Sequence, residues 1–155
     1  MVIEESQTIE AGLKFVSAIG ATDFTLAVFR TEKKNATFPV SGTLVPNAMQ
    51  QVGKVLSQGV EIEGIHDFNN GFSLFGTLAY TDAKVSDDPT LAGKRIAHVP
   101  RYSASLFLQY EVPSIAGLAM GAGVRYTGDR YSDVQNNFKV DSLTVFDASV
   151  SYEWD

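Results

Sequence analysis

The segment Gln58–Asp82, QGVEIEGIHDFNNGFSLFGTLAYTD, reads as two strands joined by a tight turn. From 59 to 68, Val60, Ile62, Gly64 and Phe68 share one face, opposite Glu61, Glu63 and Asp67. From 72 to 81, Phe72, Leu74, Gly76, Leu78 and Tyr80 share one as well. Successive side chains of a strand point to opposite sides, so alternation with period two marks a strand with one apolar face. Asn69-Asn70-Gly71 lies between the two runs. Asn and Gly tolerate the positive φ angles that a short hairpin loop demands.

The same alternation recurs on both sides of this hairpin. Upstream, Ile9, Ala11, Leu13 and Phe15 alternate within 8–17, and Phe24, Leu26 and Val28 within 22–31. Downstream, 102–112 carries Tyr102, Ala104, Leu106, Leu108, Tyr110 and Val112 on one parity. The run 118–127 carries Leu118, Met120, Ala122, Val124 and Tyr126, and 143–154 carries Thr144, Phe146, Ala148, Val150, Tyr152 and Trp154. Seven strands result, and none fits a helical period better. The opposite parity is small and polar, as in Ser103, Ser105, Gln109, Arg125, Asp147 and Ser149. Such a face suits bulk water or a polar lumen, and period two alone leaves both open.

Connections alternate in length. Ile19-Gly20-Ala21, Asn69-Asn70-Gly71 and Pro113 to Gly117 are short. Thr31 to Leu56, Asp82 to Arg101 and Gly128 to Ser142 are long. Short turns on one rim and long loops on the other describe an outer-membrane barrel. The fold expected is all-β: an antiparallel up-and-down meander forming part of a transmembrane β-barrel. Two aromatic girdles fit this arrangement. Tyr80, Tyr102 and Tyr126 fall at the long-loop rim of the apolar face. Phe15, Phe24, Phe68, Phe72, Tyr110, Tyr152 and Trp154 fall at its short-turn rim. Amphipathic rings favour the headgroup level on both sides of a bilayer. A sandwich core would instead concentrate aromatics in mid-strand. His66 interrupts the apolar parity near the lower rim.

Composition excludes several classes. The chain has 155 residues, 45% apolar and 19% charged, with a formal charge of −6. That charge argues against a nucleic-acid partner held by phosphate contacts. With no Cys, disulfides, thiolate metal sites and cysteine nucleophiles are excluded, and two His leave little for a His-based centre. Met1 to Ser6 has no basic region followed by an apolar one, so no signal peptide is expected. No apolar run reaches the roughly 18 residues of a membrane helix, which leaves strand-crossing untouched.

No acid, base and nucleophile converge in the sequence, which makes an enzyme the weakest reading, and no cofactor is implied. Glu61 and Glu63 stand about 6–7 Å apart on one strand face and read as polar lining rather than a catalytic pair. Asp87-Asp88 and His98 read as loop residues, and Gly121-Ala122-Gly123 matches no nucleotide fingerprint. Lys33-Lys34 and Lys94-Arg95 read as solvated charge.

Longer runs resemble a known family. Gln58–Asp82 and Leu91–Glu111, LAGKRIAHVPRYSASLFLQYE, are similar to late barrel strands of TonB-dependent outer-membrane receptors. Gly117–Trp154, GLAMGAGVRYTGDRYSDVQNNFKVDSLTVFDASVSYEW, resembles their siderophore-receptor branch, where a Gly-rich strand ends in Arg-Tyr-x-Gly. Glu10-Ala11-Gly12-Leu13-Lys14 also resembles a strand of these receptors. The resemblance implies residues 1–155 of a partial receptor barrel, without the plug domain, the TonB box or the last strands of a barrel of about 22 strands. It implies uptake of a ferric siderophore across the outer membrane, with TonB acting through the plug. Arg101, Arg125, Arg130 and Tyr131, at the long-loop rim, are the expected ligand contacts, because cations and aromatic faces suit anionic iron chelates. Two alternatives remain at this point: a soluble sandwich or lipocalin-like module, and a passive porin.

Overall fold

The computed structural model describes residues 2–17, 21–39, 49–51 and 53–154. Ile19 and Gly20 of the first expected turn lie outside them. The strands are β1 (Glu5–Val16), β2 (Thr22–Lys34), β3 (Thr37–Pro39), β4 (Met49–Gln51), β5 (Lys54–Asp67) and β6 (Phe72–Asp87). They continue with β7 (Tyr102–Glu111), β8 (Leu118–Thr127), β9 (Arg130–Tyr131), β10 (Lys139–Val140) and β11 (Leu143–Tyr152). Seven of them form one antiparallel sheet in the order β1-β2-β5-β6-β7-β8-β11, and β3-β4 and β9-β10 are separate small ribbons.

Register carries each apolar parity across the whole sheet. One row reads Leu13, Leu26, Ile62, Leu78, Ala104, Tyr126 and Thr144 as successive partners. The next reads Phe15, Phe24, Gly64, Gly76, Leu106, Val124 and Phe146. A slip of one residue at any interface would turn a strand's apolar set to the other face. The sheet is a single layer: Leu78 is 49% exposed, Leu106 47% and Val150 73%. An uncovered apolar face is what a barrel wall presents to lipid, and it departs from a two-sheet sandwich core.

On the polar face, Phe107 of β7 stands opposite Gly123 of β8. A Cβ added at Gly123 would lie 2.7 Å from Phe107 Cδ2, and one at Gly121 would meet the same ring. These two glycines make room for an aromatic ring rather than for a ligand.

The wall strands outrun the apolar bands that reveal them. β2 has 13 residues, β5 14 and β6 16, whereas β7, β8 and β11 have 10 each. About 9–11 residues cross a bilayer, so the surplus projects beyond it at the long-loop end. There the ladder continues between polar partners, such as Thr8 with Thr31 and Ser6 with Lys33. Apolar alternation ends where the apolar band ends, but backbone pairing needs no apolar face. The last strand closes at Tyr152, short of the expected 154.

The buried core lies outside the wall. Ala36, Val55, Val85, Leu91 and Val134 are buried together, with Phe38 and Ile96 packed against them. They come from the long-loop ends of β5 and β6 and from all three long connections.

Glycines at positive φ close two hairpins: Gly71 (φ 91) and Gly117 (φ 82). A Cβ at Gly117 would collide with the carbonyl oxygen of Glu153, whereas one at Gly93 (φ 83) meets nothing within 4 Å. Left-handed backbone costs an ordinary residue about 1–2 kcal/mol. Gly93→Ala is expected to lose that much, and Gly117→Ala distinctly more. Denaturant midpoints of the folded barrel check this, and equal losses would show that the Glu153 contact is without consequence.

Candidate functional site at the long-loop rim

The loop after β6 folds back along its own strand. Val85 N donates to Lys94 O at 2.9 Å, Gly93 N to Val85 O at 2.8 Å and Ile96 N to Ala83 O at 3.0 Å. Asp88 starts the return by accepting from the N–H groups of Thr90 and Leu91, both at 2.9 Å. Those donors, Thr90 foremost, hold the Asp88 carboxyl below its usual range. Asp88 is thus a turn cap, and no group of three or more metal-ligating side chains exists among the described residues.

This return is stitched to the loop after β8. His98 N donates to Tyr131 O at 2.7 Å. The Asn136 amide imitates a strand neighbour: its Oδ1 accepts from Arg95 N at 2.7 Å and its Nδ2 donates to Arg95 O at 2.9 Å. The Arg95 guanidinium donates from Nη1 to Asp129 Oδ2 at 3.0 Å and from Nη2 to Asp129 O at 2.9 Å. Its Cζ lies 5.5 Å from the centre of the Tyr131 ring, within cation–π range. Arg95 and the nearby Lys139 hold the Asp129 carboxyl below its ordinary value. Arg95 therefore departs from the expected solvated charge: its side chain is 14% exposed and committed to Asp129. Lys33 is likewise paired, with Glu4 at 2.7 Å.

Asp133 is the buried charged residue of this region, at 4% exposure. Its carboxylate accepts from Asn137 N at 3.0 Å and Phe138 N at 2.9 Å. Burial pushes its pKa up, and these backbone donors outweigh that and leave it low.

The expected contacts are in different states. Arg101 is exposed beside Asp82, Nη2 to Oδ1 3.8 Å, and Lys84 shares that carboxylate at 3.0 Å. Arg125 lies on the polar face of β8 and makes a two-pronged pair with Asp147, at 3.1 and 3.2 Å. Arg130 and Tyr131 form β9, both half-buried. Arg130 Nη1 is buried without a hydrogen-bond partner, as is Gln135 Oε1 in the same connection. Arg130, Tyr131 and Arg95 thus belong to one loop cluster, and Arg125 sits below it on the wall. The sequence reading missed Asp129 and Asn136 and the structural role of Arg95. Asn136 lies 41 residues from Arg95, and no local pattern announces that pairing.

The aromatic positions fall on one face at two levels. Tyr80 and Tyr102 are direct partners with ring centres 5.2 Å apart, and Tyr126 is opposite Ala104. At the other end Phe72 stacks on Tyr110 at 4.2 Å, Phe15 pairs with Phe24, and Tyr152 lies 6.2 Å from Trp154.

Acid should loosen the loop cluster before the wall. A carboxylate whose folded pKa is depressed gives stability above its unfolded value, here 3.8, and loses it as pH falls through the folded one. Amide exchange at Asn137 and Phe138 is expected to accelerate below that pH. Asp133→Ala should speed it about tenfold or more at neutral pH, as befits a lost buried charged acceptor. Unchanged protection in that variant would refute the capping role.

Comparisons with known proteins match this architecture. The family model described as TonB dependent receptor-like, beta-barrel, matches residues 3–155. The chain is 35% identical over 154 residues to the ferrichrome outer membrane transporter/phage receptor of Escherichia coli K12, covering 93% of this chain and 19% of that protein. It is 33% identical over 147 residues to the ferrioxamine B receptor of Salmonella typhimurium, covering 93% of this chain and 20% of that protein. The chain thus spans about a fifth of the length of these curated relatives. The crystal structure of the siderophore receptor PiuA from Acinetobacter baumannii superposes with TM-score 0.80 at 26% identity, over 98% of this chain and 22% of that one. The ferric yersiniabactin uptake receptor FyuA from Yersinia pestis shares the fold, with TM-score 0.82 at 23% identity, over 96% of this chain and 22% of that one. A seven-strand wall, an uncovered apolar face and a family match over nearly the whole length lead to one conclusion: the chain belongs to the TonB-dependent receptor β-barrel family of the bacterial outer membrane.

Proposed function

We propose that this chain is a section of the wall of a receptor that takes up ferric siderophores across the outer membrane. Its barrel is completed by further strands and a plug through which TonB acts. The observation that carries this reading is the match along nearly the whole chain to receptors named for ferrichrome and ferrioxamine B. The wall architecture agrees with it. In this reading the apolar face meets lipid, with Tyr80, Tyr102 and Tyr126 at one headgroup level and Tyr110, Tyr152 and Trp154 at the other. The polar face lines the lumen.

The proposed chelate contacts are Arg101, Arg125, Arg130 and Tyr131, and their states rank them. Arg130 carries a buried donor without a protein partner, so an anionic ligand that displaced the loop atoms covering Nη1 would gain a charge-assisted bond there without breaking another. Arg125 is already neutralised by Asp147 and must exchange one carboxylate for another anion. Arg101 is held only loosely by Asp82, at 3.8 Å. Tyr131 offers a ring, one side of which Arg95 takes.

The test is titration of the barrel that contains this chain with ferrichrome and with ferrioxamine B, read by quenching of intrinsic fluorescence. We expect one of the two to bind, and Arg130→Ala to weaken it about tenfold, the size of a charge-assisted hydrogen bond. Arg125→Ala is expected to shift Kd by less than about threefold, as for an exposed pair. Failure of both chelates to bind would defeat the siderophore reading. Binding with no change in Arg130→Ala would defeat the assignment of that residue.

A further inference from the structure

The middle of the apolar face holds a groove that no side chain of the sheet fills. Gly64 of β5 and Gly76 of β6 are direct partners, which removes two adjacent side chains from one row. Phe24 flanks the pair on one side and Leu106 on the other. Ile62 and Leu78 bound it towards the long loops, and Leu74 and His66 towards the short turns. The resulting groove has a volume of about 320 Å³.

Gly76 is not demanded by the protein, and Gly64 is favoured only by one close backbone approach. Neither has positive φ, in contrast to Gly71 and Gly117. A Cβ at Gly76 would lie 3.4 Å from Leu106 Cδ1, an ordinary contact; one at Gly64 would lie 3.7 Å from Phe24 Cδ2 but a tight 3.1 Å from the backbone oxygen of Asp23. Glycine in mid-strand costs about 0.5–1 kcal/mol relative to alanine. Gly121 and Gly123, on the other face, offset that cost by housing the Phe107 ring. On this face the space stays open.

A polar pair closes the groove's lower end. Thr22 and His66 are partners across β2 and β5, and Thr22 Oγ1 lies 2.7 Å from His66 Nδ1. Phe68 meets the His66 ring edge-on at 4.4 Å. The Nε2 atom has no protein hydrogen-bond partner among the described residues. When the threonine hydroxyl donates to Nδ1, the ring proton stands on Nε2 as a free donor. His66 is two residues, about 7 Å, below the glycine pair, at the edge of the short-turn aromatics Phe68 and Phe72. His66 is thus registered with Leu74, one row inside the Phe72–Tyr110 girdle, where the acyl region of the periplasmic leaflet meets its headgroups, since short turns face the periplasm.

We propose that this groove is a seat for one glycerophospholipid of the periplasmic leaflet. One acyl chain lies over Gly64 and Gly76 between Phe24 and Leu106, and the phosphodiester accepts a hydrogen bond from His66 Nε2. The occupant follows from the order of the features: an apolar trough towards mid-bilayer and a single polar donor at the interface. The inference rests on the membrane-facing orientation of this face and not on the identity of the chelate.

The test uses the barrel that contains this chain, purified in dodecyl maltoside and titrated with dioleoyl phosphatidylethanolamine under native mass spectrometry. The expected result is one retained lipid per barrel. Gly76→Leu, which fills the trough from the lipid side, should weaken retention at least tenfold. His66→Leu should weaken it by a similar factor, and Ala148→Leu, on the same face at β11, should leave it unchanged. Ferric-chelate binding, measured in parallel, reports a folded receptor. If Gly76→Leu misfolds, Gly76→Ala gives a smaller loss in the same direction. Retention equal to that of the unmodified barrel in both glycine variants would overturn the proposal and leave the glycines as points of strand curvature. Retention lost equally in Ala148→Leu would also overturn it, as general lipid adhesion.

Discussion

Every backbone N–H and C=O within the hydrocarbon of a membrane must be bonded by the protein itself, because no water is there to do it. This constraint organises the rest of the chain. An antiparallel ladder satisfies it between strands, and the ladder's register then decides which side chains face outward. The unbroken rows from β1 to β11 show how strictly it is kept: seven strands place one apolar residue after another on the same face. The hydrophobic effect here selects register rather than building a core, since the apolar side chains stay uncovered by protein.

Conventional burial moves to the loops. Val85 is fully buried, and Leu91, Val134, Ala36 and Val55 close around it above the wall. Three connections distant in sequence share this small core; Arg95 and Asn136 tie the second to the third, and Asp133 caps a turn within the third. The described parts of the long loops therefore form a folded cap at the rim of the wall, with Arg95 and Lys139 paired to Asp129. Among the described residues, Arg130 differs in that its buried Nη1 has no hydrogen-bond partner.

Much of this fold is legible in the sequence, for a physical reason. Lipid on one face and polar surroundings on the other force period two, so Val60 to Tyr80 announces both strands, and Asn69-Asn70-Gly71 announces their turn. Where the lipid ends, the pattern ends. The outward extensions of β5 and β6 and the short ribbons β3-β4 and β9-β10 carry only a few apolar residues, such as Val55, Ala83, Val85 and Phe38, too few to mark a strand by alternation. The site was legible only in part. Arg125 and Asp147 lie on the polar parity of adjacent strands, so their pairing was within reach of the register. The Arg95–Asn136 pairing spans two loops, and only the folded chain brings those residues together. Gly121 and Gly76 look alike in sequence, yet one carries a neighbour's ring and the other opens a trough.

The central claim is that a single alternation separates lipid from lumen along the whole wall. The chain has no cysteine, so single cysteines report cleanly on it within a barrel whose other cysteines have been removed. The direct measurement is a cysteine scan of β7 from Ser103 to Tyr110 in native outer membranes. A charged aqueous thiol reagent and quenching by a lipid-soluble nitroxide are read at each position. The account predicts aqueous labelling at 103, 105 and 109 and lipid quenching at 104, 106 and 108. Labelling without period two, or aqueous access on both parities, would contradict it.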